Sequence, residues 1–68
     1  MADRRLQVFA TVARLLSFTK AAESLHMTQP AVTFQIRQLE DYFNTRLFDR
    51  THNRISLTSA GHLVKGYA

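Results

Sequence analysis

Several side chains that can bind bases or anions cluster in the middle of the sequence, at the three- and four-residue spacing of a helix face: Pro30, Thr33, Phe34 and Arg37, with Gln29 beside them at the start. No acidic residue occurs in the segment 24–39. A polyanion can therefore approach this face without repulsion from a carboxylate. An ordinary solvated helix face with a chance gap in acidic residues is the alternative.

The element that must position these side chains is a helix over residues 28–43. Thr28 is a good N-cap, because its hydroxyl can accept a hydrogen bond from a free first-turn amide. Pro30 falls in the first turn, where its missing N–H breaks no intrahelical bond. The opposite face has the apolar spacing of a core-facing stripe, formed by Val32, Ile36, Leu39 and Phe43.

Composition describes one small, basic domain. The chain has 68 residues, no Cys, and 46% hydrophobic and 21% charged residues. Stability must therefore come from packing, without disulfides or thiolate zinc sites. Nine Lys and Arg against five Asp and Glu give a net charge of +4. This balance is consistent with an anionic partner but does not identify one. No apolar run resembles a signal peptide or approaches the roughly 20 residues of a membrane span, so we expect an intracellular domain.

Two helices are predicted before residue 28. Asp3 can cap the first, which runs to about Leu16 and has apolar residues on two sides: Leu6, Phe9, Ala10, Ala13 and Leu16 on one, and Val8, Val12 and Leu15 on the other. Two elements packing on this helix, a subunit interface on part of it, or one wide core-facing stripe would each explain this pattern. After a break at 17–18, Thr19 is the expected N-cap of a helix from Lys20 to about His26. With the helix after Thr28 it forms a helix-turn-helix pattern.

A hairpin and a last helix follow. The alternating segments 47–50 and 55–57 predict two short strands. Because an isolated hairpin is marginal in water, Phe48, Ile55 and Leu57 should dock on the helical core. Arg50 and Arg54 then stand near the tip of a wing and suit phosphate contact, with ordinary solvated loop arginines as the alternative. Thr58 caps a last helix that begins at Ser59 and has no clear stop signal, so we expect a domain of a longer protein.

Five segments, taken in order, carry a family resemblance: Leu6 and Phe9; 17–25; 28–33 with Gln35, Ile36, Leu39 and Glu40; 47–50 with Arg54; and 57–61. Together they resemble the N-terminal domain of LysR-type transcriptional regulators over nearly the whole chain. The resemblance implies a mostly α fold, a winged helix-turn-helix with a three-helix core, a two-stranded β wing and a C-terminal linker helix. Residues 1–58 would form the DNA-binding domain, and 59–68 would begin the linker and dimerisation helix.

The resemblance also implies a function. We expect a bacterial, cytoplasmic, nucleoid-associated regulator that binds operator DNA as a dimer and is not an enzyme. We expect no cofactor in this domain, because a small-molecule effector would bind a C-terminal domain that this chain lacks.

The expected contacts fall into three groups. Base contacts are assigned to Gln29, Pro30, Thr33, Phe34 and Arg37; phosphate contacts to Thr19, Lys20, Thr28, Arg50 and Arg54; and dimer contacts to Val12, Leu15, Leu63, Val64 and Tyr67. Gln29 can pair with an adenine edge, and Phe34 can contact a thymine methyl group. The alternatives are a helix-capping role for Gln29 and a surface ion pair of Arg37 with Glu40 or Asp41.

The sequence also bears on two other classes of function. A winged helix can bind a protein or RNA instead of duplex DNA, and a salt titration with competitors separates these cases. Catalysis has no support, because His26, His52 and His62 lack metal-ligand spacing and no serine has a Gly-x-Ser-x-Gly setting.

Overall fold

Four helices and a two-stranded sheet make up the part of the chain that the computed structural model describes, residues 4–51 and 54–66. The elements are α1 (Arg4–Leu15), α2 (Phe18–Leu25), α3 (Gln29–Phe43), β1 (Phe48–Thr51), β2 (Arg54–Leu57) and α4 (Ser59–Lys65). The two strands pair in antiparallel fashion. The mostly α, winged helix-turn-helix architecture expected from the sequence is confirmed.

Helix α1 is the centre of the core. It packs against α2, α3 and α4, and Val8, Phe9 and Val12 have no exposed surface. Its second apolar side is therefore covered within one subunit. The prediction that Val12 contacts a second subunit is wrong, because a side chain with no exposed area has nothing to offer a partner.

Hydroxyl side chains cap three of the helices. The Thr28 Oγ1 accepts a hydrogen bond from the Ala31 amide at 3.2 Å, and the Thr58 Oγ1 accepts one from the Gly61 amide at 3.0 Å, as predicted. The predicted cap at Thr19 is wrong. Ser17 is the N-cap, and its Oγ accepts a hydrogen bond from the Lys20 amide at 3.0 Å. The helix begins one residue later, at Phe18, whose ring is buried. Asp3, the predicted cap of α1, lies outside the described residues.

Left-handed residues end the second and third helices. His26 has φ 57° and Asn44 has φ 55°. In both turns the left-handed amide donates to the carbonyl three residues back, and the next amide donates five residues back, from Met27 to Ala22 and from Thr45 to Glu40. This paired arrangement satisfies carbonyls that a helix end leaves free. Leu16 also has φ 50°, so it ends α1 in a turn and is half exposed instead of lying on the predicted apolar face.

The wing is fixed to the core through one face of its hairpin. Phe48 pairs with Leu57, and Arg50 pairs with Ile55. Phe48 is buried, and Ile55 and Leu57 pack against the core from partly buried positions, as predicted. The preceding residue, Leu47, is fully buried.

Three hydrogen bonds tie the segment before the wing to the two neighbouring helices. The Leu47 amide donates to the Glu40 Oε2 on α3 at 2.9 Å, and the Leu47 carbonyl accepts from the Thr58 amide at 3.0 Å. The Thr58 hydroxyl donates to the Arg46 carbonyl at 2.6 Å. The wing is therefore anchored to the end of α3 on one side and to the start of α4 on the other.

Helix α4 turns one side inward and one outward. Val64 is only 7% exposed and belongs to the core, whereas Leu63 is 70% exposed. Val64 thus cannot form the substantial dimer contact assigned to it, because its surface is already covered within the subunit. Leu15 is half-buried, and Tyr67 lies outside the described residues.

Candidate nucleic-acid interface

The five predicted base-reading side chains surround one open concavity on α3. Gln29, Pro30, Thr33, Phe34 and Arg37 are its lining residues. Four of them are exposed, Phe34 by 59%, and Thr33 is half-buried. The structure therefore brings the whole set together on a surface that no other part of the described chain covers.

Burial of the opposite face explains this exposure. Val32, Ile36 and Leu39 are almost fully buried against the core, whereas Phe43, the predicted fourth member of this stripe, is 40% exposed. Because these residues are spaced by three and four positions, they fix the rotation of α3 about its axis. Positions 30, 34 and 37 then lie on the side away from the core, and position 33 lies at its half-buried border.

Arg37 is free of the ion pair considered as an alternative from the sequence. Within residues 4–51 and 54–66, Arg37 forms no ion pair with Glu40 or Asp41. The Glu40 carboxylate instead accepts the hydrogen bond from the Leu47 amide. An unpaired, exposed guanidinium on this face is available to a base edge or a phosphate.

A second concavity lies between the wing and the start of α2. Its lining joins residues from three parts of the chain: Leu16, Ser17, Phe18, Thr19, Gln29, Arg50, Arg54 and Ile55. The two wing arginines predicted to contact phosphate therefore lie beside the helix-turn-helix. Gln29 borders both this groove and the one on α3.

Arg50 is held over an aromatic ring. Its Cζ atom lies 4.5 Å from the centroid of the Phe18 ring. That ring makes an edge contact with Phe48 at 5.8 Å, and Phe48 contacts Phe9 at 5.4 Å. The Arg50 guanidinium therefore lies at the outer end of a row of ring contacts that begins in the core.

Arg46 is a site residue that the sequence analysis missed. A third concavity, between α3 and the wing, includes Arg37, Arg46 and Arg50 among its lining residues. Arg46 is exposed and directly precedes the buried Leu47. Its position directly before the Leu47–Arg50 segment was the available signal, but nothing in the local sequence indicates that this loop runs back beside α3.

The remaining predicted phosphate contacts lie at the starts of α2 and α3. Thr19, Lys20 and Thr28 are all exposed there. The Thr28 Oγ1 already accepts from the Ala31 amide, so its O–H remains able to donate to an anion. Because Ser17 caps α2, the Thr19 hydroxyl is not used as the cap.

Two other kinds of feature are absent from the described ranges. No group of three or more His, Cys, Asp or Glu residues that could hold a metal ion occurs there. No helix in the same ranges is long and apolar enough to cross a membrane.

The sequence matches the family described as "Bacterial regulatory helix-turn-helix protein, lysR family" over residues 4–62. Among curated relatives, the RuBisCO operon transcriptional regulator of Allochromatium vinosum is 51% identical over 65 residues, 96% of this chain and 22% of the relative. The HTH-type transcriptional regulator CfxR of Cupriavidus necator is 52% identical over 96% of this chain and 20% of its own length. The chain thus spans about a fifth of the length of these relatives.

Solved structures show the same fold. A LysR-family transcriptional regulator from Eggerthella lenta superimposes with a TM-score of 0.94 at 40% identity, covering 98% of this chain and 96% of that one. The DNA-binding domain of CbnR in complex with DNA gives a TM-score of 0.90 at 37% identity, covering 98% of this chain and 77% of that one.

Proposed function

This chain belongs to the LysR family of bacterial helix-turn-helix regulators and is a DNA-binding domain of that family, and we propose that it reads duplex DNA by placing α3 in the major groove. The wing then lies along the sugar-phosphate backbone beside the same site. The regulator that contains it acts in the cytoplasm, on an operator with two-fold symmetry. Any small-molecule effector binds outside this domain.

One observation carries the proposal. The side of α3 that bears Gln29, Phe34 and Arg37 is exposed, and no other described part of the chain covers it. The major groove is about 12 Å wide and admits one α-helix, and each base pair presents a distinct pattern of donors and acceptors there. A bare helix face with short polar side chains at its start fits that space.

The chemistry of each side chain gives it a role. The Gln29 amide offers a donor and an acceptor that match the adenine edge, and Arg37 matches guanine or a phosphate. Phe34, exposed and apolar, has the thymine methyl group as its matching contact. Pro30 and Thr33 bring the backbone and a short hydroxyl close to the base edges.

Sequence-independent binding is assigned to the cations and hydroxyls around this face. Arg46, Arg50 and Arg54 border the grooves next to Gln29, and Thr19, Lys20 and Thr28 stand at the helix starts. Each neutralised phosphate releases counterions, so these contacts make affinity fall with salt.

A dimer completes the proposal. Two modules related by a two-fold axis would place their recognition helices about 34–36 Å apart on one face of the duplex. Leu63 is the exposed apolar residue of α4 and is the main candidate for that contact. Leu15 contributes a smaller surface.

The proposal is tested by comparing Gln29→Ala with Arg50→Ala on two duplexes, one selected from a random pool by the wild-type chain and one with that sequence scrambled. Gln29→Ala should lower affinity for the selected duplex by about fivefold to a hundredfold, the range of one lost bidentate contact, and leave the scrambled duplex unchanged. Arg50→Ala should weaken both equally and reduce the salt slope by about one.

Matched controls are available in the chain. Gln38→Ala repeats the first substitution on the same helix at a half-buried position outside the three grooves, and Arg14→Ala removes an exposed arginine at the end of α1. Both should bind like wild type. Equal losses on the two duplexes for Gln29→Ala would reject base reading by this residue, and a failure of the wild-type chain to select any duplex would reject the proposed function.

A further inference from the structure

Phe18 is a core residue whose ring has a second contact that packing alone does not require. Its side chain is 6% exposed and meets Phe48 edge to face on the inner side. The outer side carries the Arg50 guanidinium, 4.5 Å from the ring centroid. A guanidinium within about 6 Å of an aromatic face is attracted by the ring's negative quadrupole.

The strand register explains how these groups meet. Phe48 and Arg50 are two residues apart on β1, so their side chains point to the same face of the hairpin. Burying Phe48 in the core therefore directs Arg50 towards the start of α2, where Phe18 is the first helical residue. The same contact places Arg50 in both grooves that border Gln29 on the wing side.

We propose that Phe18 is a positioning residue for DNA binding, because its ring holds the Arg50 guanidinium in place beside Gln29 before DNA arrives. This inference rests on the proposed function. A free arginine loses rotamer freedom when it binds a phosphate, and a guanidinium already ordered on a ring loses less. Arg54 has no such contact with a ring within the described residues, so the two wing arginines differ in preorganisation.

A double-mutant cycle separates positioning from packing. Phe18→Leu keeps an apolar side chain in the core and removes the π face, and Arg50→Ala removes the cation. The probe is a mixed-sequence duplex of about 30 base pairs, long enough for two half-sites. In the wild-type background Phe18→Leu should weaken binding by about two- to fivefold for each module bound, the range of an exposed cation–π contact.

In the Arg50→Ala background the same Phe18→Leu change should have no effect on affinity. Equal losses in both backgrounds would mean that Phe18 acts only through packing and would overturn the proposal, as would no loss in either. Phe18→Tyr keeps the π face and should recover affinity that Phe18→Leu loses. Phe43→Leu repeats the substitution at an exposed position outside the grooves and should bind like wild type.

Two measurements keep the proposal testable if Phe18→Leu does not fold. Difluorinated phenylalanine at position 18 retains the ring's shape but weakens its negative face, and it should reproduce the loss of affinity. In the free wild-type chain, NMR should show the Arg50 side-chain protons shifted upfield by the Phe18 ring and those of Arg54 unshifted. Unshifted Arg50 protons would overturn the inference while leaving the proposed DNA binding intact.

Discussion

The backbone at His26 takes a conformation that L-residues adopt only at a cost. Its φ of 57° is left-handed, and its side chain is exposed. Glycine carries no Cβ and adopts this region freely. His26→Gly should therefore be more stable than His26→Ala by about 1 kcal/mol, since both lose the same side chain but only alanine keeps the strain. Urea unfolding of both variants measures the difference, and equal unfolding free energies would contradict the assignment of strain to this turn.

The proposed contact of Phe34 can be tested by changing the DNA base that it touches. Phe34 is 59% exposed on the same side of α3 as Arg37, and its proposed partner is a thymine methyl group. Replacing the contacted thymine of the selected duplex by uracil should lower wild-type affinity about fourfold, because one methyl group is no longer buried. Phe34→Ala should bind both duplexes with the same affinity. A uracil effect that persists in Phe34→Ala would assign the methyl contact to another residue.

The packing of α4 on the wing requires a glycine at position 61. A Cβ atom at Gly61 would overlap the Leu47 carbonyl oxygen and lie 2.8 Å from the Leu57 Cδ2. Gly61→Ala should therefore destabilise the fold by about 1–3 kcal/mol, the usual range for overpacking. Gly66→Ala is the matched control, because the Leu63 carbonyl oxygen, 3.3 Å from its Cβ, would need to shift by only a few tenths of an ångström. Thermal unfolding of the pair tests this, and equal midpoints would show that α4 can shift without loss.

At the scale of elements, the sequence predicts α3 well and α2 less well. The bounds of α3 are set by Thr28, Pro30 and Asn44, and each acts through its own local backbone. Ser17 and Thr19 are equally able to cap α2. Ser17 is the cap because Phe18 is buried against Phe48. Phe48 lies in a different element, so the local sequence around α2 does not indicate this contact.

Substitution of Leu63 tests whether two copies of the domain contact each other on DNA. Leu63 is 70% exposed, whereas its neighbour Val64 packs inward. Leu63→Asp should weaken binding to a duplex with two symmetric half-sites and leave binding to one half-site unchanged, because a charge disrupts an apolar contact between modules. His62→Asp introduces the same carboxylate at an adjacent exposed position and is the control. If Leu63→Asp binds the two-site duplex as wild type does, the dimer contact lies elsewhere.

The composition of the grooves shows where sequence reasoning reaches its limit. The five residues on α3 could be grouped from spacing alone, because one helix carries them all. Arg46 and Phe18 could not be assigned, since their roles arise only when the wing folds back on the helices. Val12 was misassigned for a related reason, because an apolar side of α1 looks the same whether another helix or another subunit covers it.

The central location of Gln29 has a consequence for retargeting the domain to new operators. Gln29 borders three grooves at once. Any replacement that changes which base this position prefers therefore also changes the space left for DNA beside the wing. Phe34 borders the α3 groove alone. We therefore expect libraries diversified at Phe34 to yield altered specificity with intact affinity, and libraries diversified at Gln29 to yield mostly weak binders.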